Sequence, residues 1–318
     1  MLERICQPKT KQKPSNGPTV KLPPAHSTNI LARAVPIESL QTSVWLQMLV
    51  YAKNRVGKTR LAGEFDKPLL LISHDAKNNG GADTLRKVPG ITVMQQGVHL
   101  RGTADVEALG RELIANNPFK TVVNDGLQSL EQTLLAEICG WEETANMLQF
   151  PKKGETPKVT KEQYIERSEK IRQVLRPFIN LKGCHCLYLA TERDHNAFKD
   201  YTPKLLQVGH SASLYGPSIG DGATLWLSDC CNWTCHLSIG PETKTIKKPK
   251  IVLKGKSPEM QDVVVETGGT VRRLRVKLHD NFLAGVNAPD DDLPEFLEAV
   301  TARELYEKVM ALARGLAA

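Results

Sequence analysis

A chain of 318 residues allows one large domain, or one domain with an appendage. Hydrophobic residues make up 41% and charged residues 24%, which argues against a wholly disordered chain and leaves enough apolar material for an ordinary core. The formal charge of +7 favours a polyanionic partner such as nucleic acid, and seven cysteines, an odd number with Cys230 and Cys231 adjacent, do not read as a secreted disulfide framework.

Residues 1–30 carry Pro8, Pro14, Pro18, Pro23 and Pro24 among Lys, Ser, Thr and Asn, and read as a disordered basic arm. Residues 1–10 hold no apolar leader. The apolar runs farther on, such as 45–51 and 184–190, are strand-length rather than membrane-length, so no membrane contact is expected. Residues 44–51 read as a buried strand, followed by a loop and a short helix from Lys58 to about Glu64. Strands follow at 68–73, 91–94 and 119–123, with helices at 103–116 and 127–139. Residues 140–160, with Pro151, Gly154 and Pro157, read as an excursion. A helix at 161–180 and a strand at 184–191 complete the alternation. Helices alternating with strands that are apolar on both faces predict an α/β fold with a mainly parallel sheet. Past residue 200 the strands shorten and alternate, at 232–239, 251–254, 263–266 and 271–278, which predicts antiparallel additions before a closing helix at 301–315. The division expected is an arm at 1–30, a core at 31–240 and an extension at 241–318.

Between the first strand and helix lies Ala52-Lys53-Asn54-Arg55-Val56-Gly57-Lys58-Thr59, with Arg60 next. This is a phosphate-binding loop pattern in the context it needs, after a strand and opening a helix. Free backbone N–H groups there cradle phosphate oxygens, Lys58 reaches the β- and γ-phosphates, and the Thr59 hydroxyl meets Mg²⁺. Ala52 stands where Gly is commoner, and a positive φ there would cost some strain. Asp125 closes the strand at 119–123 through Asn124, and suits the Mg²⁺ shell. Asp75, past the strand at 68–73, is the candidate to orient an attacking water; a turn cap is its plainer reading. Glu192 is a second candidate, and Thr191, Glu192 or Arg193 can sense a γ-phosphate from the end of the strand at 184–191.

The order of this loop, then Leu-Leu-Leu-Ile-Ser-His-Asp with Gly80 and Gly81, then Lys-Thr-Val-Val-Asn-Asp-Gly-Leu-Gln-Ser-Leu, resembles the AAA-type, RecA-like ATP-binding proteins of bacteriophages and bacteria. Some of these are phage single-strand annealing or recombination ATPases. The resemblance spans about residues 43–240. It implies a P-loop NTPase sheet, ATP and Mg²⁺ as cofactors, and Lys58, Thr59, Asp125 and Asp75 in the roles just given. It further implies work on single-stranded DNA in a bacterial cytoplasm, and a homo-oligomer whose neighbouring subunit supplies an Arg, for which Arg193 is the candidate. A nucleotide-dependent switch with little hydrolysis and a small-molecule phosphotransferase are the alternatives; no Arg-rich lid supports the latter.

Two further groups stand out. Cys184, His185, Cys186, Cys230, Cys231, Cys235 and His236 invite a zinc site, although the spacing fits no standard knuckle and buried packing is the plainer account. Lys244, Lys247, Lys248, Lys250, Lys254 and Lys256, with Arg272, Arg273, Arg275 and Lys277, would make one basic face if their strands pair, and a solvated strand edge otherwise.

Overall fold

The computed structural model describes residues 45–75, 81–140, 143–144, 147–148, 159–194, 215–249, 260–277, 282–286 and 293–317. The arm at 1–30, the strand expected at 251–254 and most of the excursion at 140–160 lie outside them. Residues 43–318 form one compact unit.

The elements in order are β1 (Gln47–Ala52), α1 (Lys58–Ala62), β2 (Leu69–Ser73), a 3₁₀ turn (Ala82–Leu85), β3 (Ile91–Gln95), α2 (Thr103–Ala115), β4 (Thr121–Asp125) and α3 (Leu127–Ile138). A two-stranded ribbon, β5 (Glu143–Thr144) and β6 (Met147–Leu148), precedes α4 (Lys161–Ile179) and β7 (His185–Asp194). Then come β8 (Tyr215–Pro217), α5 (Asp221–Cys230), β9 (Trp233–Pro249), β10 (Met260–Arg275), β11 (Gly285–Val286), β12 (Phe296–Ala299) and α6 (Ala302–Ala317).

The large sheet is mixed and mostly parallel in its centre, with the order β12-β10-β9-β1-β7-β4-β2-β3. All pairings from β9 across to β3 are parallel, and β10 is antiparallel to both β9 and β12. Strand alternation sorts the core into two layers. Met48, Val50, Leu69, Leu71, Val123, Leu187 and Leu189 face one side, under Leu61 of α1 and Leu305 and Val309 of α6. Leu49, Tyr51, Leu70, Ile72, Val122 and Tyr188 face the other, under Val106 of α2, Leu130 of α3, Ile171 and Phe178 of α4 and Leu227 of α5. β1 and β2 are buried on both faces, which is why their sequences are nearly continuous apolar runs; β4 is buried likewise but carries Thr121 and Asn124 among its buried residues.

Three features differ from the sequence reading. β9 runs on through Gly240 to Pro249, and the strands expected at 263–266 and 271–278 are one strand, β10, with a register shift between Glu266 and Thr270. Glycines at 268 and 269 mask that continuity in the sequence, because Gly signals a break in a strand pattern. β8 and α5 were not expected; α5 is only ten residues long, too short for its spacing to stand out.

Candidate functional site

Parallel pairing brings the C-terminal ends of β1, β7, β4 and β2 to one edge. Ala52 is in register with Thr191, Asp125 with Leu189, and Ser73 with Asp125. The residues of the loop after β1, Asp125, Asp75 and the end of β7 are therefore gathered along that edge.

The loop leaves β1 at buried Ala52 and turns into α1 at Gly57, whose φ of 101° is left-handed. The positive φ considered for Ala52 is not there: Ala52 stays in the strand and pairs with Thr191, and the left-handed turns fall on Arg55 (φ 65°) and Gly57. Gly57 takes this conformation without a Cβ penalty. The Lys58 ammonium folds back over the loop and donates to the carbonyls of Ala52 and Lys53, at 3.1 Å each. Burial lowers the Lys58 pKa, while Asp125 and Glu192 oppose that shift.

Thr59 Oγ1 donates to Asp125 Oδ2 at 2.7 Å, joining residues 66 apart in sequence. Burial raises the Asp125 pKa; the Thr59 hydrogen bond and Lys58 pull it back, and Asp75 raises it further. Gly126, left-handed at φ 87°, turns the chain directly from β4 into α3 and donates to Leu189 O, which keeps Asp125 at the sheet edge. A Cβ on Gly81 would overlap the Thr59 side chain, so the chain after β2 passes against Thr59 at a distance only glycine permits.

Asp75 lies two residues past the Ser73–Asp125 register point, half-buried, and acts electrostatically on Asp125. Asn124, unusual for its polarity, is fully buried and answers to His74: His74 Nε2 lies 3.3 Å from Asn124 Oδ1, and His74 Nδ1 lies 3.2 Å from Gln96 Oε1. A neutral imidazole has one N–H and one lone pair, so one of the two amides turns its NH₂ toward the ring.

At the end of β7, Thr191 Oγ1 approaches Asn54 Oδ1 of the loop at 3.3 Å. Glu192 turns to the opposite face of the sheet and accepts from His236 Nε2 at 2.7 Å, with both side chains under 10% exposed. His236 stacks on Phe282 and packs near Tyr51. In the sequence, His236 stands out only beside Cys235 and its neighbouring cysteines. Arg193 is ion-paired with Asp221 at the start of α5, an internal partner for the residue considered as a contact to a neighbouring subunit. Lys53, Arg55 and Arg60 are exposed beside the loop, while Val56 packs against the core.

The zinc site is not formed: no three His, Cys, Asp or Glu side chains converge on a point among the described residues. Cys184, Cys186, Cys231 and Cys235 are buried apolar packing instead. Nor do the basic residues that are described make one face; Lys250, Lys254, Lys256 and the Lys248 side chain lie outside the described residues. Lys244 and Lys247 are exposed but three residues apart on β9, hence on opposite sides of the ribbon. Arg273 and Arg275 are ion-paired with Glu298 and Glu295.

The pair Thr59 and Asp125 offers hard oxygen donors, which suits a small divalent cation such as Mg²⁺ that otherwise takes water and phosphate oxygens. Among the described residues no helix is long and apolar enough to cross a membrane. No protein-family model matches the chain, and no curated protein matches it.

Proposed function

We propose that the chain is a P-loop nucleoside-triphosphate-binding protein of RecA-like type that binds ATP with Mg²⁺ and hydrolyses it in DNA recombination or replication. The observation that carries this reading is the Thr59–Asp125 hydrogen bond beneath a loop whose own lysine closes over it. Two residues far apart in sequence, one a hydroxyl and one a carboxylate, meet where a Mg²⁺ ion on a bound triphosphate needs them. Lys58, with the N–H groups of the loop from Lys53 to Thr59 and Arg60 beside it, binds the phosphates. Bound Mg²⁺ would supply charge neutralisation at the phosphate oxygens; Thr59 and Asp125 hold it. Asp75 orients the attacking water, because it stands at the same edge and within electrostatic reach of Asp125. Thr191 reports the phosphate state to β7 through Asn54. The net charge of +7 and the exposed Lys244 and Lys247 favour single-stranded DNA as partner, with a homo-oligomer as the working form.

The test is phosphate release from Mg²⁺·ATP, with and without single-stranded DNA. Turnover that rises with DNA and disappears in Lys58→Ala is expected. Turnover unchanged in Lys58→Ala overturns the assignment, and ATP binding without turnover under any condition leaves a nucleotide switch.

A further inference from the structure

β10 carries three arginines, and they are not equivalent. Arg273 and Arg275 each have a glutamate partner. Arg272 pairs with no carboxylate among the described residues; its Nη1 donates to the carbonyl of Val300. Its Nε is buried without a hydrogen-bond acceptor, as is that of Arg275, but Arg275 has a carboxylate on its guanidinium and Arg272 does not.

The register shows where that nitrogen is. Tyr51 of β1 is level with His236 of β9, which is level with Arg275 of β10. Arg272, level with Ile239, therefore lies three residues beyond Tyr51, at the height of the phosphate loop rather than of the strand. It shares a strand face with Leu274, which belongs to the core layer beneath α1 and α6. The side chain thus runs along the α1 side of the sheet toward the loop. A Cβ on Gly57 would sit 3.9 Å from Arg272 Nε, the one atom within 4 Å that does not belong to the local chain around Gly57.

We propose that Arg272 is a phosphate-contacting residue of the nucleotide site, supplied in cis by the C-terminal part of the chain. This rests on the phosphate-loop assignment above. A buried guanidinium N–H without an acceptor is unfavourable, and a phosphate oxygen is its best-matched partner, since the planar fork of Arg fits oxyanions in a way that the lysine ammonium does not. The Val300 carbonyl fixes the side chain at its far end, so the Nε–H direction is set before the ligand arrives. Arg193, tied to Asp221, does not supply this charge in the isolated chain.

The experiment is equilibrium titration of the full chain with Mg²⁺·ATP and Mg²⁺·ADP, alongside thermal unfolding with and without nucleotide, for Arg272→Ala, Arg272→Lys and Lys58→Ala. Arg272→Ala should weaken ATP binding by about tenfold or more, the loss of one charged hydrogen bond. It should also lose most of the nucleotide-induced rise in Tm. Arg272→Lys, which keeps the charge but not the Nε–H, should weaken binding by a smaller factor, about threefold. Wild-type affinity in both Arg272 variants, while Lys58→Ala loses binding, overturns the Arg272 role and spares the loop. Unchanged affinity in Lys58→Ala removes the loop assignment and the Arg272 role with it. Should Arg272→Ala not fold, Arg272→Lys decides alone: wild-type affinity and Tm shift overturn the proposal.

Discussion

At the scale of single residues, the tightest constraint is the contact of Gly81 with Thr59. No side chain fits between them, so Gly81→Ala must displace the Thr59 hydroxyl from Asp125 or push the backbone away. Overpacking of this kind costs about 1–3 kcal/mol. The expected result is Mg²⁺·ATP binding about tenfold weaker, with little change when Mg²⁺ is removed; equal affinity for Mg²⁺·ATP would show that Thr59 is not held from that side. His74 gives a second prediction, on stability. Burial lowers its pKa from 6.5 to about 4, so the folded protein keeps the ring neutral. Between those two values the unfolded chain binds the extra proton and the folded chain does not. Stability therefore falls as pH drops from 6.5 to about 4 and is fully retained above 6.5, by a total of about 3 kcal/mol for this group. His185 and His236, also lowered by burial, contribute in the same direction. Urea unfolding at pH 7 and pH 4.5 should show the loss, and His74→Gln should shrink it; an identical pH slope in the variant would contradict the assignment. The residue-level legibility was uneven. Lys58, Thr59 and Asp125 follow from the loop pattern and a strand end. His236 and Arg272 did not, because what matters in them is a partner, or the lack of one, across the sheet, which no local pattern encodes.

At the scale of elements, the β9–β10 ribbon differs most from the sequence reading. The sequence places lysines close together on β9, but strand alternation divides them. Lys244 and Lys247 point to opposite sides, so one bound strand of nucleic acid meets only one of them. Each phosphate contact on single-stranded DNA is worth about 0.7 in the slope of log affinity against log salt. Neutralising one of these lysines should lower the slope by about that amount, and neutralising the other should leave it unchanged. Equal reductions from both, or none from either, would exclude the ribbon as the contact. The helices were more legible. The expected helix at 161–180 matches α4 because its apolar face, ending in Val174, Leu175 and Phe178, repeats at helical spacing over 19 residues, and Thr160 with Gln163 forms a capping box at its start. α5 lacks that length.

At the scale of the molecule, alternating strands and helices announced an α/β sheet with a parallel centre, and buried runs such as 69–72 required cover on both faces. Strand order was not legible. That β7 lies between β1 and β4 follows from how the crossover helices pack, not from any segment read alone. That placement nonetheless defines the site, because it puts Thr191 against Asn54 and leaves Asp125 on the next strand to meet Thr59. α6 packs on α1 from the far end of the chain, and β10 brings Arg272 to Gly57, so these two late elements share the core and the surroundings of the loop. On the reading proposed above, this edge binds a triphosphate through Lys58, with Mg²⁺ held by Thr59 and Asp125. The most direct test of that reading is equilibrium binding of ATP to wild type, Lys58→Ala and Asp125→Asn, each with Mg²⁺ and with a chelator. The structure predicts ATP binding by wild type that strengthens with Mg²⁺, no measurable binding by Lys58→Ala, and binding by Asp125→Asn that no longer responds to Mg²⁺. Equal, Mg²⁺-independent ATP binding by all three proteins, or none by wild type, would contradict it.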